Sequence, residues 1–363
     1  MQVKEDNYKE AIKRNLKGFL VVFALFALGN IHQFFIAESL SFFIKNLLWH
    51  VLGFSIFFFL LFFTDYKKVS FRALWYAYWI LNFVLFIMLI FHKRWLNLGF
   101  LSLQPSEFVK FILLWLISLY LSREPSEVIP PKKLLKIFGL IALPLILIMP
   151  TDLDYAFIMG VMFFSWLLFI GVPKRIFILL FSGVLLFSFV FVPIAWQKLK
   201  PHQKGRIYGY LEPEKYAKTW GYQLNQSLIA IGSGGLTGQK FYKGWSTRLG
   251  YLPTKHTDLA FAVWAETWGL LGVSVFLALY GYLIYFGICV SQTTKDWFGK
   301  YLSLGVSLIL LWQLFFNLGG CSGLLPMTSI PLPFLSYGGS ITILVYILLY
   351  LLFNVAIKKY FFK

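Results

Sequence analysis

The sequence predicts an all-α, polytopic integral membrane protein with about ten transmembrane helices and one large extracytoplasmic loop. Of the 363 residues, 59% are hydrophobic and only 13% are charged, whereas soluble domains are about half apolar and about a quarter charged. Apolar runs of about 18 or more residues recur along the whole chain, and each is long enough to cross a bilayer as a helix. We therefore expect residues 1–363 to form a single membrane domain.

The positions of these apolar runs give the predicted spans. The fifth run is short and ends at Pro150, so we expect that span to be kinked or tilted. The N-terminal segment has mixed charge and no small-residue cleavage pattern behind its first run, which argues against a cleavable signal. The ten runs lie near residues 17–36, 45–64, 73–91, 105–121, 136–150, 154–171, 175–195, 261–290, 301–320 and 335–355.

Basic residues predict the orientation of the spans, because cytoplasmic connections carry an excess of Lys and Arg. With the N-terminus in the cytoplasm, every cytoplasmic connection contains Lys or Arg, and an even number of spans places the C-terminus there too. Most of the net charge of +18 reflects this bias, for which attraction to anionic membrane lipids is the simple explanation. The apolar content argues against a nucleic-acid partner. Cys289 and Cys321 lie in apolar runs, where no disulfide is expected.

Residues 196–260, between the seventh and eighth predicted spans, form a large extracytoplasmic loop that is strongly basic. The loop contains ten Lys or Arg residues against Glu212, Glu214 and Asp258. A basic outward loop suits an anionic ligand at the membrane surface, because Lys and Arg donate charge-assisted hydrogen bonds to phosphate oxygens. The Trp and Tyr residues of the loop fit two roles, as flat platforms for sugars or as anchors at the headgroup level.

Within this loop, GYQLNQSLIAIGSGGLTG (221–238) predicts a short amphipathic helix that ends in a glycine-rich turn. Gly232, Gly234 and Gly235 permit backbone conformations that other residues avoid. Such a turn fits close approach to a ligand, and it fits a plain helix stop equally well.

This segment is one of several that together resemble the RodA/FtsW family, the shape, elongation, division and sporulation proteins of bacteria. The others are LGYLPTKHTDLAFAVWAETWGLLG (249–272), LLPMTSIPLPFLSYGGS (324–340), KRWLNLGFLSLQPSEFVKF (93–111) and GRIYGYLEPE (205–214). Their order and their spacing between predicted spans match the family, and RodA is the more similar of its two main branches.

Three departures from the family pattern bear on the candidate site. The segment PTDLDYA keeps Asp152 but places Asp154 where the family has glycine. The usual His-Thr-Asp-Phe reads HTDL here, which leaves Asp258 intact, and the usual pair of glutamates reads Glu266 and Thr267. The candidate catalytic residue is therefore retained, while the local geometry around Asp152 is expected to differ.

The resemblance implies an enzyme, a peptidoglycan glycosyltransferase. Members polymerise lipid II, a disaccharide-pentapeptide on undecaprenyl pyrophosphate, into β-1,4 glycan strands at the outer face of the bacterial cytoplasmic (inner) membrane. They work beside a class B penicillin-binding protein, a transpeptidase that cross-links the strands. Similarity to RodA implies a role in cell-wall elongation and cell shape, whereas similarity to FtsW implies cell division. Two other functions fit ten spans with buried charge, namely a lipid II flippase and a non-catalytic scaffold for the transpeptidase.

Asp258 is the predicted catalytic residue. It lies at the junction between the basic loop and the eighth predicted span, where an uncompensated carboxylate is costly. Glycan polymerisation needs a base for the acceptor 4-hydroxyl and positive charge near the departing pyrophosphate. A carboxylate beside a basic loop at the outer headgroup level meets both needs. The alternative role for Asp258 is a helix N-cap.

Further residues are predicted to bind substrate. Glu107 and Lys110 are spaced i, i+3, so they fit either a structural ion pair or the wall of a cavity. Arg94 fits phosphate binding or snorkelling to headgroups, and Asp152 fits substrate binding or capping. His256 fits a structural role as well as a role in orienting the site. The predicted substrate-binding set is Arg94, Trp95, Glu107, Lys110, Asp152, Arg206, Gln226, Ser227, Lys243, Arg248, Lys255, His256 and Ser336.

No cofactor is required by any sequence motif. The sequence has no Walker loop, no dinucleotide fingerprint and no His/Cys/Asp cluster with metal-ligand spacing. A divalent cation, Mg²⁺ or Mn²⁺, at Asp258 or at the lipid pyrophosphate is the one cofactor that the expected chemistry suggests.

Overall fold

The computed structural model describes residues 9–361 except 38, 99–100, 180–181, 183–195, 198, 200 and 240–249. In this part of the chain the protein is a helical bundle with one short antiparallel hairpin. The helices are α1 (Leu16–Ile36), α2 (Leu40–Phe63), α3 (Phe71–Ile90), α4 (Pro105–Ser122), α5 (Pro131–Ile148), α6 (Leu153–Gly171), α7 (Pro201–Leu211), α8 (Tyr222–Gly234), α9 (Ala260–Thr293), α10 (Trp297–Cys321) and α11 (Gly339–Lys358). The hairpin strands are β1 (Leu96–Leu98) and β2 (Leu101–Leu103), with Leu96 opposite Leu103.

The predicted membrane helices are confirmed for most of the chain. Eight of the described helices are long and apolar enough to cross a bilayer, namely α1 to α4, α6 and α9 to α11. Helix α5 has 18 residues, contains Pro144 in its interior and carries three lysines in its first two turns. The predicted seventh span, 175–195, falls largely outside the described residues; within it only 175–179 and Ser182 are described, and they are helical.

The described spans connect at two opposite ends of the bundle. At one end, which we call the site end, the α3–α4, α5–α6 and α10–α11 connections surround a cavity that includes Asp258. At the other end, which we call the basic end, Tyr66 donates a hydrogen bond to Asp296 (2.6 Å), and Lys358 pairs with Asp65. The side-chain amide of Asn15 lies 3.4 Å from the carbonyl oxygen of Ala356, so the start of α1 and the end of α11 share the basic end.

The basic end carries the Lys and Arg residues on which the orientation was predicted. They follow or precede the apolar helices at each turn on this side of the bundle. They are Lys67, Lys68, Arg72, Arg123, Lys132, Lys133, Lys136, Lys174, Arg175, Lys295, Lys300, Lys358 and Lys359.

The centre of the bundle is formed by α4, α10 and α11. We compare the buried share of residues in the most apolar part of each helix. It is 67% in α4 and α10 and 89% in α11, but only 28% in the outer helices α2 and α3. Helix α11 packs against α2 and α10, and α10 packs against α4, α6 and α9. Lipid tails are as apolar as leucine side chains, so a lipid-facing surface needs no polar residues. The outer helices are therefore apolar on both faces, and the spans show little amphipathic pattern.

Helix α9 is not the single continuous span that the apolar run 261–290 predicts. Gly269 has φ +62° and ψ −166°, so two helical segments meet there at a kink. The glycine-rich turn after α8 packs into this break: the amides of Leu270 and Leu271 donate to the carbonyls of Gly235 (2.9 Å) and Leu236 (3.0 Å). A Cβ at Gly269 would lie 2.3 Å from the amide nitrogen of Gly238, so no larger residue fits.

The glycine-rich turn therefore permits close approach, but its partner is the chain's own helix. A Cβ at Gly234 would lie 2.1 Å from the carbonyl oxygen of Ala265, and Gly235 ends α8 with φ +53°. The sequence suggested either close approach to a ligand or a plain helix stop. The turn does stop α8, and in addition its backbone packs against the backbone of α9. Within the predicted loop 196–260, α7 and α8 are the described helices.

Candidate active site

A cavity of about 270 Å³ at the site end brings Asp258 together with four other predicted site residues, Arg94, Trp95, Glu107 and Asp152. Its walls come from the residues that flank the hairpin, the start of α4, the residue that caps α6, the segment before α9, the α10–α11 connection and the start of α11. The remaining lining residues are Gln104, Thr257, Ser329, Pro331, Tyr337, Gly338, Ser340 and Ile341.

Asp258 is held by its backbone, which leaves its carboxylate available to the cavity. The side-chain amide of Asn317 donates to the carbonyl oxygens of Asp258 (3.1 Å) and Ile330 (2.8 Å). The N-cap position of α9 is Leu259, and no side chain caps that helix. The alternative role predicted for Asp258, a side-chain N-cap, is therefore wrong in this structure.

The α10–α11 connection forms the wall opposite the hairpin, and it is tied to the Asp258 segment at several points. The hydroxyl of Ser336 donates to the carbonyl of Thr257 (2.6 Å) and accepts from the amide of Leu332 (2.8 Å). The amide of Tyr337 donates to the carbonyl of His256 (2.6 Å). These bonds hold the connection in a non-helical conformation up to Tyr337. Helix α11 therefore begins only at Gly339, four residues later than the apolar run predicts.

Burial raises the pKa of Asp258 to about 6, from an ordinary value near 3.8. The low-polarity surroundings disfavour the charged carboxylate, and the negative charge of Asp152 adds to that effect. The guanidinium groups of Arg206 and Arg94 act in the opposite direction. A carboxylate with this pKa is ionised at neutral pH, yet it binds a proton more readily than an exposed aspartate does.

Two arginine–aspartate pairs supply the charge around the cavity. Arg94 donates to Asp152 at 3.2 Å, and 44% of the Arg94 side chain remains exposed. Asp152 also caps α6, accepting from the amide of Tyr155 at 3.3 Å. Arg206 forms an ion pair with Asp154, the residue that stands where the family pattern has glycine. Each arginine is thus held at the site end by an acid and still presents its guanidinium to solvent.

Glu107 and Lys110 form a buried ion pair, as their spacing predicts. The Lys110 ammonium lies 2.7 Å from the Glu107 carboxylate, and 3% and 5% of the two side chains are exposed. The ammonium also faces the ring of Tyr155, 5.6 Å from the ring centre. Glu107 lines the cavity, so the two interpretations of the pair, structural ion pair and cavity wall, both describe the structure.

The other predicted residues lie outside the lining of this cavity. Ser336 is buried and bonded to backbone, and buried Ser227 donates to the carbonyl of Cys321 (2.7 Å), which ties α8 to α10. The His256 ring packs on Phe42 with ring centres 4.5 Å apart. Gln226 is half-buried on α8, and Lys255 is half-buried in the segment before Asp258. Lys243 and Arg248 lie outside the described residues.

Several residues that build the cavity were missed by sequence reasoning. Buried Gln33 on α1 donates to the carbonyl of Leu335 and lies 3.4 Å from that of His256. Ser340 donates to the carbonyl of Ser102 (2.8 Å), which joins the start of α11 to the hairpin. A buried polar side chain inside an apolar run was the available signal, and it applies to Gln33 and to Asn317.

The described residues contain no cluster of three or more His, Cys, Asp and Glu side chains with metal-binding geometry. Asp258 and Asp152 face the same cavity. Mg²⁺ is commonly bound by one or two carboxylates together with substrate phosphates. The side chains present therefore fit a divalent cation only if a bound pyrophosphate contributes ligands.

Comparison with known proteins relates the chain to one family. The sequence profile of the FtsW/RodA/SpoVE family, described as cell cycle proteins, matches residues 11–360. Peptidoglycan glycosyltransferase MrdB of Escherichia coli (strain K12) is 39% identical over 256 residues, which cover 68% of this chain and 66% of that protein. MrdB of Helicobacter pylori is 33% identical over 335 residues, covering 88% and 84% of the two chains. The chain thus spans about two thirds of the length of the first relative and more of the second.

Solved structures share the fold. A chain from a peptidoglycan synthase complex aligns with a TM-score of 0.75 at 24% identity, covering 94% of this chain and 97% of that chain. The rod shape determining protein RodA of Thermus thermophilus aligns with a TM-score of 0.64 at 24% identity, covering 94% and 96%. The match to the family profile over nearly the whole length, together with these relatives, shows that the chain is a multi-pass membrane protein that belongs to the FtsW/RodA/SpoVE family of cell cycle proteins.

Proposed function

We propose that the protein is a peptidoglycan glycosyltransferase that polymerises lipid II into β-1,4 glycan strands during cell-wall elongation. The observation that carries this proposal is the position of Asp258, whose carboxylate lines a cavity at the site end, with Arg94 on the same wall and Arg206 near enough to lower its pKa. The names of the relatives, peptidoglycan glycosyltransferase MrdB, support the same activity.

In the proposed reaction, Asp258 acts as general base on the acceptor sugar. The Asp258 carboxylate takes the proton of the acceptor 4-hydroxyl while its oxygen attacks the anomeric carbon of the donor. The bond from that carbon to the pyrophosphate oxygen breaks, and the lipid pyrophosphate leaves with the electron pair. A single displacement inverts the α-linked donor to a β-1,4 linkage. Arg94 and Arg206 stabilise the negative charge that develops on the leaving group.

The predicted lysine and arginine contacts for the pyrophosphate extend this proposal. Lys255, Lys243 and Arg248 belong to the same basic loop as Arg206, and further cations there would add charge-assisted hydrogen bonds to phosphate. If Mg²⁺ or Mn²⁺ takes part, Asp258 or Asp152 would hold it together with phosphate oxygens, and it would neutralise charge on the pyrophosphate.

The basic end supports an orientation in which it faces the cytoplasm and the site end faces outward. Both chain termini then lie in the cytoplasm, since the start of α1 and the end of α11 share the basic end. The cavity then opens at the outer headgroup level, where membrane-anchored substrates carry their sugars. We assign the protein to the bacterial cytoplasmic membrane on this basis.

A class B penicillin-binding protein is the proposed partner. Support comes from the structural likeness to a chain of a peptidoglycan synthase complex. A strand polymerised at the outer face needs a cross-linking enzyme on that face, and a transpeptidase held beside the site end would receive the growing strand directly.

The experiment that tests the activity is a polymerisation assay with the purified protein in liposomes. Lipid II is added from outside, and glycan products are separated on a gel. We expect a ladder of polymers without any added nucleotide or partner. Translocation of lipid II with no polymer would reject the proposal in favour of a flippase. Polymer that forms only when a separate polymerase is added together with the transpeptidase would reject the proposal in favour of a scaffold.

Polymerisation is expected to lose activity as the pH falls below about 6, because the pKa of Asp258 is about 6 and only its ionised form accepts a proton. Below that value kcat/KM should fall about tenfold for each pH unit. Arg206→Gln removes a charge that lowers the pKa of Asp258, so the acid limb should move to higher pH.

Lys204→Gln is the matched control for this pH experiment, because Lys204 lies on the same helix as Arg206 and donates to the carbonyl of Gln197. The control should leave the acid limb in place. An acid limb at the same pH in Arg206→Gln and in the unaltered protein would contradict the assigned base.

A further inference from the structure

Two adjoining cavities lie at the basic end, on the opposite side of the membrane from Asp258. They are formed by α3, α4 and α5, and they share Tyr120 and Lys136 in their linings. One is apolar and lies between the helices, and the other is strongly basic and lies at the helix ends. The proposed polymerisation uses neither of them.

The apolar cavity has a volume of about 450 Å³ and an aromatic lining. Besides Tyr120 and Lys136, its lining residues are Phe71, Trp75, Tyr78, Trp79, Leu116, Gly139, Leu140 and Leu143. The hydroxyl of Tyr78 is satisfied by the carbonyl of Leu140 (2.8 Å), so the wall presents little polarity. Gly139 has open space where a Cβ would stand, and Trp79 is 48% exposed, so the cavity opens to the lipid side of the bundle.

The basic cavity has a volume of about 490 Å³ and lies directly beside the apolar one. It is lined by Tyr120, Arg123, Glu124, Pro130, Lys132, Lys133 and Lys136. Its one acid, Glu124, is already paired with Lys133 at 2.7 Å. Among the described residues, the exposed side chains of Arg123, Lys132 and Lys136 form no ion pair, so the cavity presents three positive charges that lack a counter-ion.

The junction of the two cavities is fixed by packing. The Arg123 guanidinium lies 4.0 Å from the ring centre of Phe71, and Phe71 lines the apolar cavity. Lys132 and Lys136 are four residues apart on α5, so both side chains lie on one face of the helix. Three cations therefore surround the mouth of an apolar cavity at the level where lipid headgroups lie.

We propose that this pair of cavities binds one anionic phospholipid from the surrounding leaflet. Its phosphate contacts Arg123, Lys132 and Lys136, and one of its acyl chains occupies the aromatic cavity. The size of the apolar cavity falls within the range of small-molecule sites, about 300–1,000 Å³. A zwitterionic lipid fits less well, because its cationic headgroup would face three positive charges and a carboxylate that is already paired.

The test measures lipid binding to the delipidated full-length protein in detergent by native mass spectrometry. The probes are phosphatidylglycerol and phosphatidylcholine with identical acyl chains. We expect phosphatidylglycerol to bind at least about tenfold more tightly, and the double variant Lys132→Gln/Lys136→Gln to weaken its binding by about tenfold or more. Lys174→Gln/Arg175→Gln removes two exposed charges at the same membrane end, outside either cavity, and should leave binding unchanged.

A second variant tests the acyl-chain half of the site. A Cβ at Gly139 would meet no atom within 4 Å, so Gly139→Leu adds its side chain to the apolar cavity, and we expect it to weaken phosphatidylglycerol binding several-fold. Gly281→Leu is the matched control, because Gly281 is an exposed helical glycine with equally open space on α9.

Any of four results would overturn the proposal. Equal binding of the two lipids, or equal loss in the charge control, would show general attraction of lipid to the basic end. Full competition by soluble glycerol 3-phosphate would show an anion site without an acyl chain. Unchanged phosphatidylglycerol binding in Gly139→Leu would show that no acyl chain occupies the apolar cavity.

Discussion

Asp258→Asn is expected to abolish glycan polymerisation, with a loss of at least about 10²–10⁴ in rate. Asparagine keeps the size of the side chain but cannot accept the proton of the acceptor hydroxyl. The backbone bonds that hold this segment, from Asn317 to Asp258 and from Ser336 to Thr257, do not involve the altered side chain. The rate is measured as polymer formed from lipid II per unit time, with purified protein.

The matched control is Glu212→Gln, which removes an exposed acid from the same loop. Glu212 pairs with Lys215 at 2.6 Å, and 51% of its side chain is exposed, so its loss should leave activity unchanged. Retention of full polymerisation by a correctly folded Asp258→Asn protein would show that Asp258 is not the base.

The same variant is expected to be more stable than the unaltered protein at neutral pH. The pKa of Asp258 is raised on folding, so the folded state binds its proton more tightly, and ionisation destabilises the fold as the pH rises from about 4 to about 6. A pKa shift of about two units corresponds to about 3 kcal/mol in the free energy of unfolding. The unaltered protein loses this stability by pH 7, whereas the asparagine variant keeps it because asparagine does not ionise. Its Tm in detergent should therefore exceed that of the unaltered protein at pH 7 and match it near pH 4.

Lys110→Met is expected to destabilise the protein by about 3–5 kcal/mol, because it leaves the Glu107 carboxylate buried without its partner. The two side chains are almost fully enclosed by α4 and its neighbours, 2.7 Å apart. Only 5% of the Glu107 side chain is exposed, so water in the cavity compensates little for the lost ammonium, and the unpaired carboxylate is largely desolvated or neutralised. The measurement is the Tm of purified protein in detergent.

The double variant Glu107→Gln/Lys110→Met is the control for this pair. It removes both charges, so it should recover most of the lost stability. Its activity then tests whether the pair also serves the cavity, since a stable but inactive double variant would show that activity needs at least one of these two charges. A double variant as unstable as Lys110→Met alone would contradict the ion pair as the cause.

The apolar runs were sufficient to predict most of the helices, because each span must satisfy its backbone internally and cover the bilayer with apolar side chains. The ion pair of Glu107 and Lys110 was also predictable, since charges three residues apart on a span face the same side. Asp258 was predicted as the catalytic residue from its place at a membrane boundary beside a basic loop and from the family resemblance, and the structure places it in the lining of the cavity.

What the sequence could not predict depends on contacts between distant segments. The break at Gly269 is stabilised by a turn about 30 residues earlier in the chain, and an apolar run gives no sign of it. The hairpin before α4 was missed because its strands have three residues each, too short for a periodic pattern. The N-cap role for Asp258 failed because α9 begins at Ala260, so that Leu259 and not Asp258 occupies the N-cap position.

The shared amide of Asn317 has a consequence for how substrates enter and leave. One side chain joins Asp258 to Ile330, and Ser336 joins the same two segments a second time. These segments therefore move as one rigid wall, and a hinge between them would have to break buried hydrogen bonds. The hairpin side of the cavity is tied to the bundle by the Arg94–Asp152 pair and by the bond from Ser340 to the carbonyl of Ser102. Passage of a lipid-linked strand through the cavity is therefore expected to leave Asp258 in place, because its wall is cross-linked twice by buried side chains.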